Sequence, residues 1–107
     1  MTPEVKTKIE QLLNQNKIMV FMKGSKLMHQ CGFSNNVVQI LNTLSVTYEA
    51  VDILAEPEIR QGIKEYSNWP TIPQIYINGE FVGGSDIAIE LYQNGELQQM
   101  VEVALAS

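Results

Sequence analysis

Cysteine is scarce in this sequence: Cys31 is the only one in 107 residues, which excludes any disulfide bond within the chain. Basic residues are also few, since seven lysines and arginines stand against twelve acidic residues, for a formal net charge of -5. No basic stripe is present to displace counterions from phosphates, so a nucleic-acid partner is not expected. The longest uncharged apolar run, residues 18–22, is too short to cross a bilayer, so no membrane partner is expected either.

The size and the start of the chain set further expectations. A chain of 107 residues with 45% hydrophobic content predicts a single domain spanning residues 1–107. The first residues lack the apolar core of a secretory signal and the Arg/Ser-rich character of a transit peptide. One unpaired cysteine suits a reducing compartment. We therefore expect a cytoplasmic protein, although a processed organellar form would look the same.

The spacing of apolar residues predicts alternating helices and strands. Strands are predicted at 18–22, 48–53, 75–77 and 80–82, and helices opening at Thr2-Pro3, near 33, at 56–58, at Ser85-Asp86 and after Asn94-Gly95. The Asn78-Gly79 pair between the last two strands is typical of a type I′ hairpin turn. The long helical connection makes the second strand parallel to the first. This order predicts an α/β, thioredoxin-like fold, a four-stranded mixed sheet flanked by helices.

Cys31 follows a predicted strand and loop and opens a predicted helix. A thiol at this place faces unpaired backbone N–H groups and the positive end of the helix dipole, and both favour the thiolate. A C-x-x-C pair here would be typical of thioredoxin-like proteins, but Ser34 stands at the second position. Any sulfur partner must therefore come from another molecule. Lys23 could place its ammonium beside the thiol, while a buried structural cysteine and an ordinary loop lysine are the alternatives.

The run Trp69-Pro70-Thr71-Ile72-Pro73 lies directly before a predicted strand. In one interpretation its two prolines only form a rigid turn. In the other, a cis peptide bond before Pro73 leaves the backbone N–H and C=O of Ile72 unpaired and facing the thiol. Such groups can pair with an extended peptide, as the edge of a sheet does. The sequence leaves both interpretations open.

Charged residues elsewhere suggest binding sites for a carboxylate. Arg60 and Lys64 are four residues apart on one predicted helix face, so they could hold a carboxylate together or simply be solvated surface charges. In the Gly83–Asp86 segment, exposed N–H groups could bind a second carboxylate and Asp86 an ammonium. A glycine break followed by an ordinary helix cap is the alternative. With a thiol near Cys31 and a backbone stretch near Ile72, these positions match the layout of glutathione.

Four motifs together resemble the monothiol glutaredoxins of the Cys-Gly-Phe-Ser class: Phe21-Met22-Lys23-Gly24, Cys31-Gly32-Phe33-Ser34, Trp69-Pro70-Thr71-Ile72-Pro73-Gln74 and Gly83-Gly84-Ser85-Asp86. The resemblance covers nearly the whole chain. It implies that Cys31 is the active thiol and that Pro73 is cis. It also implies a glutathione site, for which the candidate residues are Lys23, Arg60, Lys64, Ile72, Pro73, Gly84, Ser85 and Asp86.

The same resemblance implies a [2Fe–2S] cluster held by Cys31 between two protomers, delivery of the cluster to acceptor proteins, and pairing with BolA-like partners. Two positions depart from the commonest pattern: His29, where proline is frequent, and Ser85, where many relatives have a second cysteine. A solvated loop histidine is the simpler interpretation of His29. The serine at 85 removes a candidate resolving thiol.

Two functions are compatible with these residues. A [2Fe–2S] cluster usually takes four thiolates, so a homodimer that supplies two needs two more, which a glutathione beside each Cys31 would provide. The second function is glutathione-dependent reduction of protein–glutathione mixed disulfides, which also needs only one cysteine. The resemblance favours the carrier, because this class is generally poor at the reductase reaction. Enzymatic activity is therefore expected to be weak at most.

Overall fold

The chain forms five helices and four strands, in a computed structural model that describes residues 1–107. In order they are α1 (Pro3–Gln15), β1 (Ile18–Met22), α2 (Gly32–Thr43), β2 (Glu49–Asp52), α3 (Pro57–Ser67), β3 (Gln74–Ile77), β4 (Glu80–Gly83), α4 (Ser85–Gln93) and α5 (Glu96–Ala106). None of these helices has the length and apolar content needed to span a membrane.

The four strands form one mixed sheet in the order β2-β1-β3-β4. Strands β1 and β2 are parallel, whereas β3 is antiparallel to both β1 and β4. The predicted thioredoxin-like fold and mixed sheet are therefore confirmed. Because of these directions, the carboxyl ends of β1, β2 and β4 and the start of β3 lie at the same edge of the sheet.

Helices cover both faces of the sheet. On one face, Ile18, Val20 and Met22 pack with residues of α2, α4 and α5. On the other face, Met19 and Phe21 pack with residues of α1 and α3. Successive side chains of a strand point to opposite faces, so a strand buried on both sides shows no polar alternation. This explains the uniformly apolar sequence of β1.

Several predicted element boundaries differ from the structure by one residue. The second strand was predicted over 48–53, but the ladder with β1 covers only Glu49–Asp52, and Ile53 adds one backbone hydrogen bond to Met22. Tyr48 and Ile53 are apolar because they are buried in the two cores, although neither belongs to the strand. Helix α4 has Gly84 as its N-cap, so Ser85 is the first helical residue rather than the cap. The Ser85 hydroxyl makes no cap bond and instead accepts a hydrogen bond from Asn36 of α2.

The hairpin between β3 and β4 follows the prediction. Asn78 and Gly79 have φ angles of 53° and 82°, and the positive sign at both positions is what a type I′ turn requires. The tight turn returns β4 along β3, which places Gly83 opposite Ile75. The start of α4 is thereby brought to the edge of the sheet where β1 ends.

Candidate active site

A cavity of about 420 Å³ opens at this edge of the sheet. It brings together every site residue predicted from the sequence: Cys31, Lys23, Arg60, Lys64, Ile72, Pro73, Gly84, Ser85 and Asp86. The cavity is also lined by residues that the sequence had not assigned to a site, namely Phe33, Trp69, Pro70, Thr71 and Ile87. Segments far apart in the sequence thus meet around one thiol.

Cys31 is the N-cap of α2 and is partly exposed, so it is not a buried structural cysteine. The pKa of its thiol is lowered chiefly by a hydrogen bond from the backbone N–H of Ser34. Desolvation opposes this change, while the N–H of Phe33, the charge of Lys23 and the Ser34 hydroxyl lower the pKa further. The side chain is thus an accessible sulfur with an increased thiolate fraction at neutral pH.

Ser34 fixes the position of the thiol relative to the sheet. Its side chain is fully buried, and its Oγ accepts a hydrogen bond of 3.1 Å from the backbone N–H of Lys23 at the end of β1. A side chain one turn into α2 is thereby tied to the strand that precedes the thiol. Ser34, at the position where a C-x-x-C pair has its second cysteine, therefore has a structural role of its own.

The thiol loop, residues 24–30, connects β1 to Cys31. Backbone hydrogen bonds close it, from Gln30 N–H to Lys23 O at 2.8 Å and from Ser25 N–H to Met28 O at 3.1 Å. Gly24 has a φ of +91°, and a Cβ there would lie 2.3 Å from the Met28 carbonyl oxygen. Asp52 at the end of β2 accepts the Gly24 N–H at 2.9 Å. The loop is thus shaped by its backbone and held by Asp52 and by Lys26, whose ammonium donates to the Tyr48 carbonyl and lies 4.1 Å from the centroid of the Tyr48 ring.

All five residues of the proline segment, residues 69–73, line the cavity. Its Ile72–Pro73 peptide bond is cis, as the resemblance implies. The Ile72 side chain is buried, whereas its backbone N–H and C=O make no hydrogen bond within the chain. These two groups remain able to pair with a bound peptide.

The side chain of Gln74 anchors the backbone of the proline segment. Its side chain is fully buried, and its Nε2 donates to the carbonyl oxygens of Trp69 at 3.1 Å and Thr71 at 3.3 Å. Its Oε1 accepts from the Tyr76 hydroxyl at 3.2 Å. Burial raises the pKa of Tyr76 to about 12, so this hydroxyl stays protonated and remains a donor at neutral pH. A buried network therefore fixes the backbone beside the thiol.

Charged side chains from α3 and α4 line the cavity. Arg60 and Lys64 both line it from α3, and neither forms an ion pair with an acidic side chain of the chain. Asp86 lies in the first turn of α4 beside Ser85. The lining of the cavity therefore includes a cationic pair from α3 and the N-terminus of α4 with its carboxylate.

His29, which the sequence left open, is an exposed loop residue that forms a backbone bridge with Gly24 and does not line the cavity. The sequence did not reveal Asn36, Gln74 or Asp52 as residues that hold the site. Each of the three forms a hydrogen bond to a residue in another segment of the chain. A local sequence pattern does not identify such a partner. The only available signal was Gln74 as a polar residue in an otherwise apolar strand.

Comparison with known proteins places this geometry in a family. The sequence profile of the family described as Glutaredoxin matches residues 18–82. An uncharacterized monothiol glutaredoxin, ycf64-like, of Synechocystis sp. is 76% identical over 107 residues, which is 100% of each chain. The solution structure of reduced poplar apo GrxS14 superposes with a TM-score of 0.87 at 53% identity, covering 99% of this chain and 97% of that one.

A third neighbour was solved with a ligand. It is the crystal structure of a buckwheat glutaredoxin–glutathione complex, with a TM-score of 0.83, 25% identity, and coverage of 97% of this chain and 96% of that chain. The matched family profile, the high identity to a full-length relative and the lone thiol at the N-terminus of α2 agree. This chain belongs to the glutaredoxin family and to its monothiol type.

Proposed function

We propose that the cavity binds glutathione with the tripeptide sulfur beside Cys31. The glycine carboxylate lies with Arg60 and Lys64, whose charges are not neutralised by neighbours. The cysteinyl backbone pairs with the free N–H and C=O of Ile72, while Lys23 and Pro73 border the sulfur.

The γ-glutamyl end occupies the other side of the cavity in this proposal. Its carboxylate faces the backbone N–H groups at the start of α4, from Gly84 and Ser85 onward, and its ammonium faces Asp86. The bound tripeptide in the buckwheat neighbour supports glutathione as the ligand of this fold. The single observation that carries the proposal is the meeting of thiolate, free backbone groups and both kinds of charge around one cavity.

The cargo that we propose for this site is a [2Fe–2S] cluster. No group of three or more His, Cys, Asp or Glu side chains in the chain could hold a metal ion, so one chain alone lacks a ligand set. Cys31 would provide one thiolate, and a second protomer with two glutathiones would complete the four that such clusters usually take. The cargo would be labile, because half of its ligands are held without a covalent bond to the protein.

A labile cluster can be passed on to another protein. We therefore propose a role in iron–sulfur cluster transfer and assembly and in redox homeostasis. The partners would be a second copy of the chain, iron–sulfur acceptor proteins and a BolA-like protein. The proposed compartment is the cytoplasm, where a free thiol persists in the reduced state.

Anaerobic reconstitution with iron, sulfide and glutathione tests the carrier role. We expect a coloured dimer that contains one [2Fe–2S] cluster and two glutathiones, and no colour when glutathione is omitted. The Cys31→Ser variant should stay colourless and monomeric, because it lacks the only protein thiolate. A colourless wild-type monomer, or a variant that still binds the cluster, would contradict the proposal.

The glutathione site has a separate test with a matched control. Arg60→Ala should weaken glutathione binding about three- to tenfold, since it removes a charge-assisted hydrogen bond that solvent partly screens. Lys6→Ala removes a cation from an exposed position of α1 that does not line the cavity, and should leave the affinity unchanged. Equal affinities for the two variants would remove Arg60 from the site.

A second candidate function is reduction of protein–glutathione mixed disulfides. It is favoured by the partly exposed sulfur with a lowered pKa. The Cys31 thiolate would attack the glutathione sulfur, and the target protein would leave as a thiolate that takes a proton from water. A second glutathione thiolate would then attack the adduct, releasing oxidised glutathione and restoring Cys31. Turnover of a glutathionylated peptide by freshly reduced, iron-free protein would favour this function over the carrier.

A further inference from the structure

Asn36 lies in α2 outside the residues that line the cavity, yet it contacts one of them. Its Nδ2 donates a hydrogen bond of 3.2 Å to the Oγ of Ser85, across the interface between α2 and α4. Ser85 is only 7% exposed, so its side of this part-buried contact is largely shielded from bulk water. The bond joins the helix that carries the thiol to the helix proposed to bind the γ-glutamyl end.

The direction of this hydrogen bond determines where the Ser85 hydroxyl hydrogen can point. A serine hydroxyl has one hydrogen to donate and two lone pairs that accept. Asn36 uses one lone pair, and the Ser85 hydroxyl donates to no acceptor within the chain. Because Ser85 lines the cavity, its hydrogen is available to a ligand there.

We propose that Asn36 is a positioning residue that turns the Ser85 hydroxyl hydrogen toward the carboxylate of a bound α-amino-acid group. The inference rests on the proposed glutathione site and specifies how its γ-glutamyl end is recognised. The neighbouring Asp86 would hold the ammonium of the same group, so both charges of the ligand head meet the first turn of α4. Ser85 thus contributes a side-chain donor in addition to its backbone N–H.

Asn35 offers a matched control on the same helix. It is also an asparagine in α2, but its Oδ1 accepts from Gln39 and it has no contact with Ser85. Replacing either asparagine by alanine removes the same atoms from the same helix. Only the Asn36 substitution removes the hydrogen bond to the cavity.

The test is calorimetric titration with two probes, glutathione and γ-glutamylcysteine, which lacks glycine but keeps the γ-glutamyl end. Asn36→Ala should weaken both about three- to tenfold, the usual net effect of one hydrogen bond, and Asn35→Ala should weaken neither. In the Ser85→Ala background, adding Asn36→Ala should cause no further loss, because Asn36 acts through the hydroxyl.

The Asn36→Asp variant keeps the shape of the side chain and reverses the hydrogen bond. Its carboxylate accepts the Ser85 hydroxyl hydrogen and turns it away from the ligand, so it should weaken binding more than Asn36→Ala does. Because it preserves the packing volume, this variant remains informative if Asn36→Ala fails to fold. In the Ser85→Ala background, where the hydroxyl is absent, Asn36→Asp should cause a smaller loss than it does in the wild type, whereas repulsion by the new charge alone would cause the same loss in both.

The outcomes separate the two proposals. If the wild-type protein binds neither probe, the glutathione site itself is wrong and the inference fails with it. If the wild type binds both, the inference alone is overturned by equal affinities of Asn36→Ala and Asn35→Ala. Additive losses in the double variant, or tighter binding by Asn36→Asp than by Asn36→Ala, would overturn it as well.

Discussion

The thiol loop and the proline segment border the same sulfur but are held in different ways. The proline segment is fixed by the fully buried Gln74, and its Trp69 packs against Phe81 with ring centroids 5.8 Å apart. The thiol loop has backbone hydrogen bonds, Asp52 and the contact of Lys26 with Tyr48, whereas its Leu27 and Met28 side chains are 94% and 70% exposed. The surface proposed to pair with a peptide is therefore preorganised, and the loop beside it contributes little to the core.

Replacing the buried side chain of Gln74 should have the largest effect on stability. Gln74→Leu leaves the carbonyls of Trp69 and Thr71 and the Tyr76 hydroxyl without their partner, and should lower the free energy of unfolding by about 2–4 kcal/mol. Urea denaturation measures this change. Ser25→Ala, which removes an exposed side-chain acceptor from the thiol loop, should change the stability by less than about 0.5 kcal/mol. Comparable losses for the two variants would refute the contrast between the segments.

Within the thiol loop, replacing Gly24 should also lower the stability of the protein. Gly24→Ala requires a side chain at a φ of +91° and against the Met28 carbonyl, so we expect a loss of about 1–3 kcal/mol in the same urea experiment. Gly79→Ala is the matched control, because Gly79 also has a positive φ but a Cβ there would meet no atom within 4 Å. A smaller loss at Gly24 than at Gly79 would show that the loop is not closed as described.

Replacing Ser34 should have a more moderate effect, which is a change in the pH dependence of Cys31 alkylation. Ser34→Ala removes the hydroxyl that lowers the pKa of Cys31 but keeps the backbone N–H that lowers it most. The alkylation rate with iodoacetamide should therefore reach its midpoint at a higher pH in the variant than in the wild type. The wild-type midpoint itself should lie below that of an ordinary cysteine, because a lowered pKa extends the thiolate to lower pH. An unchanged midpoint would show that the hydroxyl does not act on the sulfur.

The tip of the thiol loop should show the smallest effect. Leu27→Ser changes a side chain that is 94% exposed, so unfolding by urea and binding of glutathione should both stay within error of the wild type. Ile72→Ser, at a buried position of the proline segment, is the contrasting variant and should destabilise the protein. A clear loss of stability at Leu27 would mean that the loop packs more tightly than its exposure indicates.

The sequence was most informative where one local pattern determines the structure. Strand β1 and the start of α2 were predicted within one residue, because an apolar run and helical spacing leave few alternatives. The four motifs also contain seven of the nine predicted site residues that line the cavity, and the helical spacing of Arg60 and Lys64 indicated the other two. The seven motif residues lie within two positions of a glycine, a proline or a strand end, where local geometry determines their position.

The sequence was less informative where a residue depends on a distant partner. Tyr48 and Ile53 are as apolar as strand residues, so their burial outside the ladder extended the predicted strand. Ser85 has the chemistry of a helix cap, but its hydroxyl is engaged by Asn36, which lies 49 positions earlier in the chain. Such a preference for a tertiary partner over a local one is not encoded in the adjacent residues.

The central claim is that glutathione docks with its sulfur beside the thiolate of Cys31, and a titration of reduced, iron-free protein with glutathione tests it most directly. Followed by amide nuclear magnetic resonance, the titration should give saturable shifts at Cys31, Ile72 and Ser85, which come from three separate segments that line the cavity. Amides of the exposed α5 surface, such as that of Val103, should not move. An absence of saturable shifts at the cavity, or shifts confined to another surface, would contradict the account.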